Sequence, residues 1–332
     1  MTIGWGIIGT GGFAGGAVAP AINAPGGGGR LVAAVSRDRG RADAFAAKHG
    51  AARAYTAYEK LLADREVQIV YISTPNAQHA DQAIAAARAG KHVLCEKPLA
   101  LTSADARRTV EEFAKAGLKL GTHFQTRHHT AFVETKRLLD DRAIGDVILA
   151  QVEVSPGDAP LRGWRTDPAL AGLGTINNLG VHAYDLLRYL LGSEAREAVA
   201  LTNVGRTREL ERLAVALLRF ENGTLAYVNA NQNVPFYQPD IDLYGTSGRI
   251  VGADCTRPFR DGELRVLTRG GERVTKHTSK DAVVRSVAAF NTAVAENREP
   301  NASGTDGWRS VQLTEALITS AREGRLVQVS HE

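Results

Sequence analysis

The sequence predicts an α/β protein of two domains: a doubly wound parallel sheet first, then an α+β domain built on a largely antiparallel open sheet. Three observations support this prediction. Apolar runs alternate with helical stretches as far as residue 122, a glycine-rich turn follows the first run, and strand-like runs dominate afterwards. With 332 residues the chain can hold two cores, which we place at 1–122 and 123–302, with 303–332 packing back on the first domain.

The composition is that of an ordinary globular protein, with 44% hydrophobic and 23% charged residues. Its 40 basic and 36 acidic residues are spread along the chain without a Lys/Arg block, so we expect no nucleic-acid partner. Cys95 and Cys255 are far apart and lack metal-ligand spacing, which predicts a reducing compartment and no metal site. Without a signal peptide or a membrane-length apolar run, the sequence predicts a cytoplasmic protein with no membrane partner.

The first strand, turn and helix carry the pattern of a phosphate-binding loop. The run 2–8 is apolar, the turn reads Gly9-Thr10-Gly11-Gly12-Phe13-Ala14, and an Ala-rich helix follows. In this spacing Gly9 allows the tight turn, Gly11 lets the backbone approach a pyrophosphate, and Ala14 permits close helix packing. The N-terminus of the helix adds free N–H donors and a positive dipole. The pattern therefore predicts a Rossmann-type dinucleotide site.

The end of the second strand, 31–35, bears on which dinucleotide binds. An NAD-selective protein normally places an acid here, on the ribose 2′-hydroxyl. This chain has Ser36 and Arg37, and Arg41 lies one helical turn beyond. A hydroxyl and two guanidinium groups suit the 2′-phosphate of NADP, so we expect NADP(H) to be preferred. Asp38 leaves use of NAD(H) open, and arginines that are merely solvated at a helix start are the alternative.

The other strands of the first domain are predicted near 53–55, 67–72, 91–96 and 118–122, and the helices between them near 58–63, 77–89 and 103–116. The fourth strand leads into Ser73-Thr74-Pro75-Asn76 and the fifth ends in Glu96-Lys97-Pro98. Ligands of such sheets bind beyond the carboxyl ends of the strands, so Lys97 is placed to reach a substrate. His79 is predicted to support the cofactor site, with a purely structural role as the alternative.

Beyond residue 122 the pattern predicts a helix at 131–141, strands near 147–155, 198–204, 212–220, 224–231, 241–244 and 263–268, a helix at 306–321 and a strand at 325–329. The Asn222-Gly223 pair predicts a tight hairpin. Apolar residues occupy both faces of the strand at 212–220, so both faces are predicted to be buried, one by helices and the other by a second subunit. The protein is therefore expected to be a homodimer or homotetramer.

A second group of polar residues lies inside this domain. Gly163-Trp164-Arg165 comes first, and the glycine-rich run 172–185 then leads into a helix predicted from about Asn178 to Leu191. Asn178 and His182 are four residues apart and so share one helix face. A lone histidine on such a helix is usually structural, but the glycine-rich approach and the Trp-Arg pair favour a site. His128 and His129 point to diverging faces, and no set of residues has metal-ligand spacing.

These motifs together resemble the glucose-fructose oxidoreductase/inositol dehydrogenase (Gfo/Idh/MocA) family across nearly the whole chain. The resemblance is carried by the runs 9–14, 74–79, 90–99 and 172–185, of which Glu96-Lys97-Pro98 is the most specific. Within the family, Ser36, Arg37, Arg41, the run 163–165 and the run 303–307 are most similar to NADPH-dependent sugar reductases of the 1,5-anhydro-D-fructose reductase type.

The resemblance implies that Lys97 and His182 are the reactive residues, with Asn178 where relatives normally have aspartate and His123 where they commonly have asparagine. Together with the motifs it places the cofactor contacts at Gly9, Thr10, Gly11, Gly12, Phe13, Ser36, Arg37, Arg41, Ser73, Thr74, Pro75, Asn76, His79, Glu96, Lys97, Trp164 and Arg165. It places the substrate contacts at Lys97, His123, Trp164, Asn178 and His182.

The expected function is hydride transfer between a nicotinamide and a carbonyl or secondary alcohol of a sugar or polyol, in the direction of NADPH-dependent reduction. Negative charge grows on the carbonyl oxygen as hydride arrives, and a nearby ammonium group stabilises it while His182 or Lys97 donates the proton. The alternatives are an NAD-dependent sugar or inositol dehydrogenase and a non-catalytic dinucleotide-binding sensor. Asn178 favours the sensor because an amide cannot act as a base; the intact Glu96-Lys97-Pro98 element favours catalysis.

Overall fold

A computed structural model of the protein describes residues 2–157, 160–205, 210–235, 240–256 and 260–331. Its chain divides into two compact units, Met1–Phe124 with Val283–Trp308 and Gln125–Ala282 with Arg309–Glu332. No helix in the described part of the chain is both long and apolar enough to cross a bilayer.

The first unit contains a six-stranded sheet in the order β3-β2-β1-β4-β5-β6, and all of its strand pairs are parallel. This confirms the predicted doubly wound sheet. Its strands are β1 (Ile3–Ile8), β2 (Gly29–Val35), β3 (Arg53–Tyr55), β4 (Ile69–Ile72), β5 (His92–Cys95) and β6 (Leu120–Thr122). The helical segments between them are a π-helical turn (Ala14–Val18), α1 (Ala19–Asn23), α2 (Arg39–His49), α3 (Tyr58–Leu62), a short 3₁₀ turn (Asn76–Gln78), α4 (His79–Arg88) and α5 (Ser103–Ala116).

Capping residues set both ends of α5. Thr102 caps α5 by accepting the backbone N–H of Asp105 at 3.1 Å, and Gly117, with φ of 67°, closes it in the left-handed region. The central strands are buried along their whole length because helices cover both faces of the sheet. The strand order reverses between β1 and β4, which places a crevice beyond the carboxyl ends of these two strands.

The second unit is built on a nine-stranded sheet in the order β14-β13-β12-β11-β7-β10-β9-β8-β15, in which β7 and β10 pair in parallel and the other pairs are antiparallel. The largely antiparallel sheet is confirmed. Its strands are β7 (Val147–Val154), β8 (Ala195–Thr202), β9 (Leu213–Phe220), β10 (Leu225–Asn231), β11 (Asp240–Gly245), β12 (Gly248–Ala253), β13 (Gly262–Thr268), β14 (Gly271–His277) and β15 (Val327–Gln328).

The remaining helical segments are a 3₁₀ turn (Gln125–His128), α6 (Thr130–Asp140), a 3₁₀ turn (Gly163–Thr166), α7 (Pro168–Ala171), a π-helical turn (Ile176–Gly180), α8 (Val181–Leu191), α9 (Ala282–Ala295) and α10 (Gly304–Glu323). The sequence analysis did not predict β12, β14 or α9. It also began the helix of His182 at Asn178, whereas the helical chain already turns at Ile176.

The division of the chain differs from the predicted one at the C-terminus. Val283, Val287 and Phe290 of α9 belong to the core around Trp5, so this helix groups with the first unit. Residues 309–332, which we predicted to belong with the first domain, group with the second unit. The reason is that β15 pairs with β8, and Leu317 enters the core of the larger sheet.

The two faces of the nine-stranded sheet have different surroundings. Ala216, Leu218 and Phe220 of β9 point into a core shared with α8. On the opposite face Leu217 is 55% exposed and Leu201 of β8 is 71% exposed. The outer face at Leu217 is thus exposed in the single chain, and its predicted burial by a second subunit stays a prediction.

Candidate functional site

The glycine-rich turn after β1 leaves room for a ligand at the crevice of the first unit. Gly9 has φ of 99°, and a Cβ there would lie 2.5 Å from the carbonyl oxygen of Ser73, so only glycine fits. Gly11 and Gly12 are exposed, and a Cβ added to either would meet no atom within 4 Å. The turn runs into the π-helical turn at Ala14, a deviation that is frequent at functional sites. This open, glycine-lined space fits the pyrophosphate of a dinucleotide.

The polar residues after β2 differ in how far the rest of the chain already binds them. Asp38 caps α2 by accepting the backbone N–H of Arg41 at 2.7 Å, so its carboxylate already has a structural role. The guanidinium of Arg41 lies 3.9 Å from the same carboxylate, at the limit of an ion pair. Arg37 is exposed and makes no hydrogen bond or ion pair with any residue in the described part of the chain. Ser36 is buried, with its N–H donated to Tyr55 at 3.2 Å.

His79 joins the loops that follow β4 and β5. Its ring is 0% exposed, with Nδ1 2.7 Å from the carbonyl oxygen of Pro98 and Nε2 3.0 Å from that of Thr74. Burial lowers the pKa of His79, against the two backbone hydrogen bonds and the charge of Glu96, which raise it. Main-chain carbonyls thus lie within hydrogen-bond distance of both ring nitrogens, and the role of His79 in supporting the cofactor site stays a prediction.

Glu96 sits among buried donors at the exit of β5. Its Oε1 accepts a short hydrogen bond from the hydroxyl of Tyr71 and lies 2.9 Å from Nδ1 of His123. Burial raises the pKa of Glu96, but the hydrogen bond and charge of His123, the charge of Lys97 and the Tyr71 hydroxyl outweigh burial and lower it to about 2. Burial and the nearby Glu96 raise the pKa of Tyr71, which stays a neutral donor. Glu96 is thus an ionised carboxylate beside Lys97.

His123 lies inside the first unit. The side chain is 0% exposed, its ring centroid is 5.8 Å from that of Phe13, and the Tyr71 hydroxyl is 3.0 Å from its Nδ1. Nε2 is buried, and the described residues supply it with no hydrogen-bond partner. The sequence analysis proposed His123 as a substrate contact; the structure places it under Glu96. The role of Tyr71 was missed, and its only signal was a phenol in an otherwise aliphatic strand.

In the second unit, Asn178 lies in the π-helical turn Ile176–Gly180, and His182 lies in the first turn of α8. Both side chains are half-buried, whereas Asn177 and Ala183 beside them are buried. The chain reaches this helix through Gly174, where a Cβ would lie 1.9 Å from the carbonyl oxygen of Glu211. The approach is therefore held so closely that only glycine fits.

Two buried acids hold α8 and the chain that leads into it: Asp185 lies within the helix, and Glu211 contacts the chain before it. The carboxylate of Glu211 accepts the N–H of Gly174 at 3.1 Å and that of Ile176 at 2.8 Å, although burial raises its pKa against these bonds. Asp185 accepts two hydrogen bonds from Arg127, at 2.8 and 2.5 Å, and the guanidinium lies 4.9 Å from the ring of Tyr189. The sequence analysis missed Glu211 and Arg127; both are charged residues whose partners lie far along the chain.

The Trp-Arg pair occupies the 3₁₀ turn Gly163–Thr166 of the second unit. The guanidinium carbon of Arg165 lies 4.4 Å from the ring of Trp164, and Arg165 is exposed. Across the part of the chain that the structure describes, no group of three or more His, Cys, Asp or Glu residues could hold a metal ion.

Comparison with known proteins now identifies the family. Residues 3–124 match the model "Oxidoreductase family, NAD-binding Rossmann fold" and residues 132–251 match "GFO/IDH/MocA C-terminal domain". The chain belongs to the Gfo/Idh/MocA oxidoreductase family. The resemblance drawn from the Glu96-Lys97-Pro98 element is thereby confirmed, and the first unit is the NAD(P)-binding Rossmann domain of a family enzyme.

Members of the Gfo/Idh/MocA family with assigned names match over almost their whole length. A 1,5-anhydro-D-fructose reductase of Ensifer adhaerens is 33% identical and covers 98% of both chains. A D-xylose 1-dehydrogenase (NADP(+)) of Haloferax volcanii is 32% identical, over 98% of this chain and 99% of its own. The crystal structure of an aldose-aldose oxidoreductase from Caulobacter crescentus, complexed with glycerol, has a TM-score of 0.88 at 26% identity and covers 99% of this chain and 100% of its own.

Proposed function

We propose that this protein catalyses NADPH-dependent reduction of a carbonyl group on a sugar or polyol. The observation that carries the proposal is Lys97 at the exit of β5, beside an ionised Glu96, in a unit whose glycine-rich turn fits a dinucleotide. The names of the relatives, a sugar reductase and a sugar dehydrogenase, support the substrate class.

Each residue has a proposed part in the reaction. The nicotinamide, when bound, supplies the hydride. The ammonium of Lys97 stabilises the negative charge that grows on the carbonyl oxygen, and the adjacent carboxylate of Glu96 favours the charged form of that lysine. His182 donates the proton that completes the alcohol, and the Asn178 amide orients its ring. The Trp164-Arg165 turn and the loop from Ser73 to Asn76 are proposed as further cofactor contacts.

The preference for NADP(H) is also a proposal. Asp38, the one acid at this position, is held in the cap of α2, so it is poorly placed to bind a ribose 2′-hydroxyl. Arg37 is exposed and can pair with phosphate, which a guanidinium does with strong charge-assisted hydrogen bonds. An NAD-dependent dehydrogenase is the second candidate, because Asp38 is exposed and an acid after this strand normally binds the ribose 2′-hydroxyl of NAD.

The test is single-turnover oxidation of NADPH, and separately of NADH, with a panel of ketoses, aldoses and oxidised polyols. The expected result is NADPH oxidation with at least one sugar carbonyl, and loss of that activity in Lys97→Ala with little change in the dissociation constant of NADPH. The double variant Lys97→Ala/His182→Ala should lose little more than either single variant if both residues serve one step. A wild-type protein that binds NADPH tightly but oxidises it with no member of the panel would instead support the sensor.

We also propose that a second copy of the chain covers the outer face of the nine-stranded sheet. Leu201 and Leu217 are exposed there on adjacent strands, and Val199 lies directly opposite Leu217 across the β8–β9 ladder. Contiguous apolar surface of this kind marks an interaction site. A homodimer or homotetramer in light scattering is the expected result, and a monomer at micromolar concentration would overturn this proposal.

A further inference from the structure

We propose that His79 is a positioning residue for Lys97, which ties the lysine's loop to the loop that borders the dinucleotide turn. The inference rests on the proposed role of Lys97, but it concerns how that residue is held. The ring of His79 is fully buried on α4, and it reaches Thr74 after β4 with one nitrogen and Pro98 after β5 with the other.

The main chain around Lys97 is fixed on both sides. Before it, the N–H of Glu96 is donated to the carbonyl oxygen of Ile72 at 2.9 Å, which is the last rung between β4 and β5. After it, the carbonyl oxygen of Pro98 lies against His79 at 2.7 Å. His79 therefore continues the connection between these strands past the point where the ladder ends, and Lys97 lies between the two anchors.

The same ring also connects the loop of Lys97 to the loop that borders the glycine-rich turn. Thr74, the other partner of His79, follows Ser73, whose carbonyl oxygen approaches Gly9 so closely that no Cβ fits there. The hydroxyl of Thr74 in turn donates to the side chain of Gln82 on α4 at 2.7 Å. One helix thus holds both the loop beside the glycine-rich turn and the loop that carries Lys97, so their relative position depends on His79.

Both partners are main-chain carbonyls, which only accept, so each hydrogen bond needs a proton on the ring nitrogen that makes it: a neutral ring donates to one carbonyl, and a protonated ring donates to both. Phenylalanine would keep the ring volume and lose both bonds. Glutamine would keep one nitrogen with two donor hydrogens and could restore one of them. Comparing His79→Phe with His79→Gln therefore separates the effect of the ring's volume from the effect of its hydrogen bonds.

His92 provides a matched control. It lies at the opposite end of β5, is half-buried, and accepts the N–H of Lys119 at 2.9 Å through its Nδ1. His92→Phe makes the same chemical change in the same unit away from Lys97. All variants are compared by thermal unfolding first, so that a loss of folded protein is not counted as a loss of rate.

The experiment is a double-mutant cycle with Lys97, read by single-turnover NADPH oxidation with the best carbonyl substrate of the panel. Misplacing a catalytic group by about 1 Å can cost on the order of 10²-fold in rate. We therefore expect His79→Phe to lose roughly this factor, with NADPH affinity nearly unchanged, His79→Gln to lose less, and His92→Phe to keep the wild-type rate. In the Lys97→Ala background His79→Phe should cost almost nothing further. Equal losses of His79→Phe with and without Lys97 would overturn the inference.

A second measurement does not depend on turnover. NADPH should protect Lys97 from an amine-modifying reagent in the wild type, and mass spectrometry can follow the labelling of that residue. The protection should fall in His79→Phe and remain in His92→Phe. If the wild type oxidises NADPH with no substrate, the proposed function fails while this labelling still decides the inference; unchanged protection in His79→Phe would overturn it.

Discussion

The hydrogen bond from Tyr71 to Glu96 gives a quantitative prediction about stability. Lowering the pKa of Glu96 from its usual 4.5 to about 2 corresponds to about 3 kcal/mol of folding free energy at neutral pH. Tyr71 supplies one of the donors responsible, and a hydrogen bond to a charged group contributes about 1.5–3 kcal/mol. Tyr71→Phe should therefore lower the free energy of unfolding by about 2 kcal/mol at pH 7.

The pH dependence distinguishes this cause from simple loss of packing. The folded-state pKa of Glu96 is depressed, so its contribution is fully present above pH 4.5 and is lost as the pH falls towards 2. The difference between wild type and Tyr71→Phe should accordingly persist from pH 7 to about pH 4 and shrink below that pH, because Glu96 takes up its proton in the variant at a higher pH than in the wild type.

Urea unfolding at several pH values is the assay, with Tyr55→Phe as the matched control. Tyr55 also donates to a carboxylate, that of Asp64 at 3.2 Å, but Asp64 keeps its ion pair with Arg53 when the hydroxyl is removed. The control should lose less than about 1 kcal/mol. A loss in Tyr71→Phe below about 0.5 kcal/mol at pH 7, or one that is the same at pH 7 and pH 3, would refute the assignment of Glu96 as an ionised acceptor for Tyr71.

Three further predictions concern the proposed function. Arg37→Ala should weaken NADPH binding by about 10- to 100-fold and leave NADH binding unchanged, whereas Arg39→Ala, which breaks an exposed ion pair with Asp43, should alter neither titration. Asn178→Asp should raise the pKa of His182 by placing a negative charge one turn away, so the alkaline limb of the pH profile for reduction, where His182 loses the proton it donates, should move to higher pH than in the wild type; coincident profiles would exclude the pair. Leu217→Asp should give monomers in light scattering, while Val133→Asp, at another exposed apolar residue, should not.

The parts of the fold that depend on local pattern could be predicted from the sequence. The first sheet was predictable because each strand is a short apolar run, and the cap of α5 was readable from Thr102 alone. β14 was not predicted because its residues are mostly exposed at the edge of the sheet, so its sequence lacks the alternation of apolar and polar residues that marks a half-buried strand. The position of β15 in the sheet was not predicted either, because its partner β8 lies more than a hundred residues away along the chain and no local sequence pattern marks the pairing.

The residues of the candidate site likewise divide into those that the sequence predicts and those that it does not. Lys97, Gly9 and Arg37 were readable because each follows the end of a predicted strand, and the ends of parallel strands meet at one edge of the sheet. The contacts of Tyr71 and His123 with Glu96 join β4 to the residues that directly follow β5 and β6. Their convergence depends on which strands are neighbours and in what register, which a single sequence does not reveal.

The hydrogen bonds of the first unit separate supporting residues from residues available to a ligand. His79, Tyr71 and Asp38 each direct their polar atoms to another part of the chain: a pair of carbonyls, the carboxylate of Glu96 and a helix N-terminus. The side chain of Arg37 has no such partner within the described residues, and a Cβ at Gly11 or Gly12 would meet no atom within 4 Å. Changes in the first group should therefore alter the rate of hydride transfer or the stability of the fold, and changes at Arg37 should alter cofactor affinity. This separation lets rate and binding measurements test the supporting role of His79 independently of the proposed cofactor preference.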